Sequence, residues 1–295
     1  MNKLVNKHWL QYVWLDYSGE PRCQSVIADI PSDMRNDNKD SNENTQNKAK
    51  ELPSAKSFES LLVNADISGY AQRANAVYFA SPYRVYRSPS RHYPGLILLC
   101  DIVNDANEPV NNATQSRLSL EKRQEESTLA CPVRDLQAIE IQQQFYLTTK
   151  FIPISFINNP PAKPGPFGSG VGGDLAVGRS SVAQAAYQLS QLGFNVHEVA
   201  PQATPSHWGI SLQFSESSTN WEQIIDSVVL IRFIVAQCCE EANMTPAFMG
   251  KLLKDPWPPS VLKITVKGKA GLSGIDMAKR IQPNHEELML SLIHI

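Results

Sequence analysis

The chain has almost no net charge: 27 Lys and Arg stand against 29 Asp and Glu in 295 residues, leaving −2 at neutral pH. That balance gives bulk electrostatics no grip on nucleic acid or on an anionic lipid surface. A long apolar run is missing as well, since no stretch reaches the uninterrupted length of a membrane span. The N-terminus, MNKLVNKHWLQYVWLDYSG, breaks its apolar residues with Lys, His, Gln and Asp and so has no signal-peptide core. These absences predict a soluble protein of the cytoplasm, with no nucleic-acid and no membrane partner.

Paired cysteines are also lacking. Cys23, Cys100, Cys131, Cys238 and Cys239 are odd in number and show no CxxC spacing, which argues against a disulfide framework or a zinc site. Cys238 and Cys239 fall inside an apolar, helix-like run and are expected to be buried free thiols. No GxSxG elbow, no HExxH pair and no P-loop ending in GK[ST] is present, so the common hydrolase, metalloprotease and nucleotide-loop signatures are excluded.

What is present is length enough for a sizeable core and a succession of strand and helix patterns. Residues 9 to 30 read as two strands around a turn at Ser18 and Gly19. Residues 32 to 56 are Asn, Asp, Lys, Ser and Glu with almost nothing apolar, too little to offset the entropy of ordering, and predict a disordered insert. Two apolar runs between Asn75 and Asp101 predict further strands. The polar stretch from Gln115 to Thr128 reads as an exposed helix or linker. In Ala138 to Thr148, alternation sets Ile139, Ile141, Gln143, Phe145 and Leu147 on one face, with Glu140, Gln142, Gln144 and Tyr146 on the other. Helices are predicted over Ser180–Leu192, closed by Gly193, and over Trp221–Ala242, with a strand at Trp208–Phe214 between them.

Six separated segments stand in one order: YVWLDYSGEPRCQSV, VNADIS at 63–68, VYFASPYRVYRSPSRHYPGLILLCD, GPFGSGVGGDLAVGR, QATPSHW and PAFMGKLLKDPW. In that order and spacing the chain resembles eukaryotic-type glutamine synthetase, the ATP-dependent glutamate–ammonia ligase. The resemblance implies an α+β or α/β chain. A β-grasp-like domain spans 1–117 with the disordered insert at 32–56, and a linker spans 118–130. A catalytic α/β domain on a largely antiparallel sheet then spans 131–295, incomplete at its C-terminus. It further implies a ring of subunits, with Asp66 reaching a neighbouring site to take a proton from ammonium. Read by itself, Asp66 is equally a turn aspartate bonded to its own backbone.

At the positions where that family places its metal glutamates and a histidine, the resemblance puts Gln142, Gln144, Gln202, Gly209 and Lys263. Mg²⁺ and Mn²⁺ favour carboxylate oxygens, and an amide offers a dipole where Glu offers a full charge. A divalent ion about 4 Å from a unit negative charge gains roughly 8 kcal/mol at an effective dielectric near 20, before desolvation. Phosphoryl transfer relies on such ions to neutralise phosphate oxygens. No metal and no cofactor is therefore expected, although the family would use ATP with Mg²⁺ or Mn²⁺. Glu140, Glu198 and Asp174 are the carboxylates left near these positions.

The glycine-rich stretch Gly170, Gly172, Asp174, Gly178 and Arg179 reads as a tight loop before a helix, with Asp174 and Arg179 fixing its geometry, rather than as a phosphate cradle. His207, beside Trp208, reads as packed and hydrogen-bonded rather than catalytic. PPSVLKITVKG reads as a strand led by prolines where the family has a glycine-rich loop. Two functional expectations follow, beside a third reading as a module that binds a small amino acid or nucleotide without turnover. One is a catalytically inactive relative that acts by assembling with itself or with an active glutamine synthetase. The other is an active glutamine synthetase or related ligase joining ammonia or an amine to glutamate, which requires Glu140, Glu198 and Asp174 to converge.

Overall fold

The computed structural model describes residues 7–16, 18–29, 52–64, 77–110, 136–157, 165, 167–215, 221–248, 250–254 and 256–268. The chain divides into two compact units: Met1–Asp16 with Arg22–Val110, and Tyr17–Pro21 with Asn111–Ile295.

In the first unit β1 (Lys7–Leu15), β2 (Pro21–Asp29), β3 (Leu61–Asn64), β4 (Val77–Arg87) and β5 (Gly95–Asn104) form one sheet. Its order is β2-β1-β5-β4-β3, with β1 parallel to β5 and the β3–β4 and β4–β5 pairs antiparallel. Period-two alternation sends Leu10, Tyr12 and Trp14 of β1 to the same core as Leu96, Leu98, Cys100 and Ile102 of β5. Pro82 has no N–H to give the ladder, and the β4–β5 register shifts between Pro82 and Arg84. Asp16 is buried, and its charge is met by Arg22 across the hairpin, Nη2 to Oδ2 at 2.7 Å. The expected insert lies outside the described residues over 32–51. Its end at 52–56 is described and enters a 3-10 turn, Ala55–Ser57, where Ser54 accepts from the Lys56 N–H. The expected linker at 118–130 also lies outside the described residues.

The second unit is built around one long strand, β6 (Leu136–Thr149). With β7 (Ile152–Pro153), β8 (Val196–Pro201), β9 (His207–Ser215), β10 (Thr245–Ala247) and β11 (Leu262–Gly268) it makes a six-stranded sheet, antiparallel at each pairing among the described residues. β9 runs along one side of β6, and β11 and β10 share the other. The fold class is thus the expected one, mixed α and β on largely antiparallel sheets.

The apolar face of β6 is buried with Trp208, Ile210, Leu212 and Phe214 of β9. Among the described residues of this unit, two α-helices, α1 (Arg179–Gln191) and α2 (Trp221–Glu240), pack on one another. In α1 the buried Val182, Ala185, Ala186 and Leu189 recur at helical spacing. Gly193 ends it at φ +91°, a left-handed conformation that glycine adopts without penalty. Cys238 and Cys239 are buried free thiols near the end of α2, each pushed up to about 12 by desolvation.

One polar residue sits inside the apolar face. Gln143 is fully buried, and its Oε1 accepts from Arg232 Nε of α2 at 3.0 Å. Its own amide nitrogen donates to the carbonyls of Gln144 and Phe248 at 2.8 and 3.4 Å. Arg232, equally buried, donates from Nη1 to the Gly19 carbonyl at 2.7 Å. Burial lowers the guanidinium to about 10, so it still carries its charge at neutral pH.

Candidate functional site

Residues directly opposite in a ladder share a face, so strand register assembles the polar side of the second sheet. Gln142 stands between Ser211 of β9 and Lys263 of β11. Glu198 of β8 pairs with Ser211 from the other side. One step along, Gln144 faces Gly209, which in turn faces Ala200. One step further, Tyr146 faces His207.

The three glutamines are hydrogen-bonded to each other. Gln144 Nε2 donates to Gln142 Oε1 at 3.0 Å and to Gln202 Oε1 at 3.4 Å. Gln142 Nε2 approaches Glu198 Oε2 at 3.5 Å, and Gln202 Nε2 donates to the Ala200 carbonyl at 3.1 Å. Gly209 supplies no side chain, and Gln202 occupies the space one would need. Gln142, Gln144, Gln202 and Gly209 therefore meet in one place, and Lys263 joins them by register, its side chain exposed.

This donor set does not fit a hard divalent cation. The amide oxygens of Gln142 and Gln202 are already engaged by Gln144, Gly209 has nothing to give, and Lys263 adds positive charge. Among the described residues no three of His, Cys, Asp and Glu gather. Glu198 touches the cluster, Glu140 lies in the neighbouring row opposite Gln213, and Asp174 lies in the loop before α1. Asp66 lies outside the described residues.

His207 is buried and stacked on Tyr146, ring centroids 4.1 Å apart and planes within 6°. Neither ring nitrogen has a hydrogen-bond partner among the described residues, and burial holds the imidazole down at about 4. Tyr146, its hydroxyl bonded to the Pro258 carbonyl at 2.8 Å, is pushed up to about 12 by burial. Trp208 faces the core and donates from Nε1 to the Val177 carbonyl at 2.7 Å. Trp208 is packed and hydrogen-bonded, whereas the His207 ring is packed but lacks, among the described residues, the hydrogen bond that its sequence context suggested.

The glycine-rich loop is tied down from several sides. The Val177 N–H donates to the Pro205 carbonyl at 2.9 Å, and Arg179 donates to the Gly170 carbonyl at 2.5 Å while its guanidinium lies 5.3 Å from the Trp208 ring. Gly178 is at φ +79°, and a β-carbon there would lie 2.2 Å from Leu147 Cδ1, so only glycine fits. Gly172 and Gly173 face open space, and Asp174 is exposed with no hydrogen bond or ion pair to a described residue. Arginine, not aspartate, fixes the loop.

No family model matches the chain. Curated relatives do. It is 25% identical to glutamine synthetase root isozyme A of Pisum sativum over 180 residues, 60% of this chain and 48% of the relative. It is 23% identical to glutamine synthetase PR-1 of Phaseolus vulgaris over 254 residues, 84% of this chain and 62% of the relative. The chain is a divergent relative of the glutamine synthetases. It spans about half the length of several of these relatives. Among solved structures, the Plasmodium falciparum glutamine synthetase aligns with a TM-score of 0.56 at 13% identity, covering 90% of this chain and 51% of that one. A GmaS–ADP complex aligns with a TM-score of 0.58 at 13% identity, covering 91% and 55%. These likenesses show the fold. No helix among the described residues is long and apolar enough to cross a membrane.

Sequence reasoning missed Ser211, which closes the floor between Gln142 and Glu198, and missed the Gln143–Arg232 pair. A glutamine in the middle of an otherwise apolar strand face was the available signal for the pair.

Proposed function

We propose that this chain is a non-catalytic relative of glutamine synthetase, acting in the cytoplasm by assembling with copies of itself or with an active relative. The observation that supports it is the hydrogen-bonded set Gln142, Gln144 and Gln202 around Gly209, with Lys263 in register, at the positions the resemblance assigns to metal glutamates and a histidine. Without two or more bound cations the phosphates of ATP keep their charge, and a positioning scaffold alone gives little rate. The assembly half of the proposal follows the ring that the family resemblance implies.

The test is direct. Purified chain is given glutamate, ammonia and ATP with Mg²⁺ or Mn²⁺, and glutamine is measured; none is expected above a no-protein control. Light scattering of the chain alone and mixed with an active glutamine synthetase is expected to show oligomers or mixed assemblies. Glutamine formation would instead install the active-ligase reading, and a chain that stays monomeric in both samples would refute the assembly role.

A further inference from the structure

Opposite charges flank Gln142 without meeting. Pairing of β8, β9, β6 and β11 sets one cross-strand row, Glu198, Ser211, Gln142, Lys263. The Glu198 carboxylate leans across Ser211 until its Oε2 lies 3.5 Å from Gln142 Nε2. Lys263 stands on the other side of Gln142, exposed, and no ion pair joins it to Glu198. Beneath the Glu198–Gln142 contact, Ser211 Oγ is buried with no hydrogen-bond partner among the described residues. Glu140 lies in the next row, opposite Thr265 and Gln213.

We propose that this row binds a small zwitterion of the ω-amino-acid class without any metal ion: its ammonium meets Glu198, its carboxylate meets Lys263, and Gln142, standing between the two, hydrogen-bonds to its charged ends. The proposal rests on the reading of this face as one without catalytic cations. A ligand with a single charge would satisfy one end of the row and leave the other unmatched. A ligand with two acid groups would meet Glu198 and, beside it, Glu140. Neighbouring strands are about 4.8 Å apart, so the backbones of Glu198 and Lys263 stand about 14 Å apart across three spacings, a gap that two long side chains can shorten. That spacing suits an ammonium and a carboxylate held apart by several methylenes better than the adjacent pair of an α-amino acid.

The experiment is isothermal titration of the full chain in EDTA with 4-aminobutyrate, with butyrate and butylamine as controls that each lack one charge. Saturable binding of 4-aminobutyrate is expected, with both controls weaker by about tenfold or more, because charge-assisted hydrogen bonds are the strong ones. Lys263→Met and Glu198→Gln are each expected to weaken binding by about tenfold or more, and Lys263→Arg to retain it. Both residues are exposed, and circular dichroism checks that the variants fold. No saturable heat from 4-aminobutyrate, or unchanged affinity in Lys263→Met and Glu198→Gln, overturns the proposal. Failure of the non-catalytic reading appears in a different assay, as glutamine formed from ATP, glutamate and ammonia with Mg²⁺ or Mn²⁺.

Discussion

The side-chain nitrogen of Gln202 lies 2.9 Å from the point that a β-carbon on Gly209 would occupy. The two positions are therefore coupled: the amide reaches Gln144 only because residue 209 has no side chain. Gly209→Ala is expected to push Gln202 aside and cost about 1 kcal/mol, the worth of one hydrogen bond. In a Gln202→Ala background the same change should cost clearly less. Urea unfolding of the four proteins measures the coupling, and strict additivity would refute it.

Divalent cations should leave the melting temperature where it is. A ligand of the native state present at a hundred times its dissociation constant stabilises by about 2.7 kcal/mol, which a melting curve resolves easily. Millimolar Mg²⁺ or Mn²⁺ is expected to give the same curve as EDTA. A rise that saturates with Mn²⁺ would mean that carboxylates outside the Gln142, Gln144 and Gln202 cluster hold the ion.

Arg232→Ala should be among the most damaging single changes in the second unit. It strands the Gln143 amide oxygen and the Gly19 carbonyl, and each buried unsatisfied acceptor costs about 1–3 kcal/mol. A loss of about 2–4 kcal/mol is expected, on that basis, by chemical denaturation. Pairing Arg232→Met with Gln143→Leu should recover part of it, since an apolar pair leaves no stranded amide.

The buried His207 should make stability fall in mild acid. Its imidazole is held at about 4 against an ordinary 6.5, so the unfolded chain takes up a proton where the folded one does not. The contribution is complete above pH 6.5 and is lost as the pH drops toward 4, on the order of 3 kcal/mol over the whole interval. Urea midpoints at pH 7 and pH 5 should separate more for the native chain than for His207→Phe, which keeps a ring against Tyr146. Equal separation would show that His207 does not titrate in this window.

Thiol labelling should be selective. Cys23 is exposed, whereas Cys100, Cys238 and Cys239 are buried and desolvation raises all three. In a Cys131→Ser background an aromatic disulfide reagent is expected to react quickly with Cys23 and with the other three only after denaturation. Fast labelling of Cys238 or Cys239 in the native chain would contradict the packing of α2.

Period-two alternation was enough to place the strand carrying Gln142 and Gln144 and to say which residues share its polar face, because that signal is local. The same holds for α1, where apolar spacing and the closing Gly193 sit within a few turns, and for α2, where apolar spacing alone carries the signal. Register is not local. Nothing in PPSVLKITVKG says that Lys263 will stand opposite Gln142, because that depends on how two strands more than a hundred residues apart meet. Nor could alternation explain Gln143, whose partner Arg232 lies 89 residues away on a helix. Asp174, read as fixing the glycine-rich loop together with Arg179, makes no hydrogen bond or ion pair to a described residue, while Arg179 donates to the Gly170 carbonyl.

β6 pairs directly with β7, β9, β10 and β11, while its two faces do different jobs. A slip by a single residue would exchange them, bringing Gln142 and Gln144 inward and Phe145 and Leu147 out. Gln143, gripped by Arg232, forbids that slip from the interior, so substitutions on the outer face can accumulate without endangering the alignment of the strands. A scaffold wired in this way can trade one set of outer side chains for another, carboxylates for carboxamides included, and still fold to the same shape.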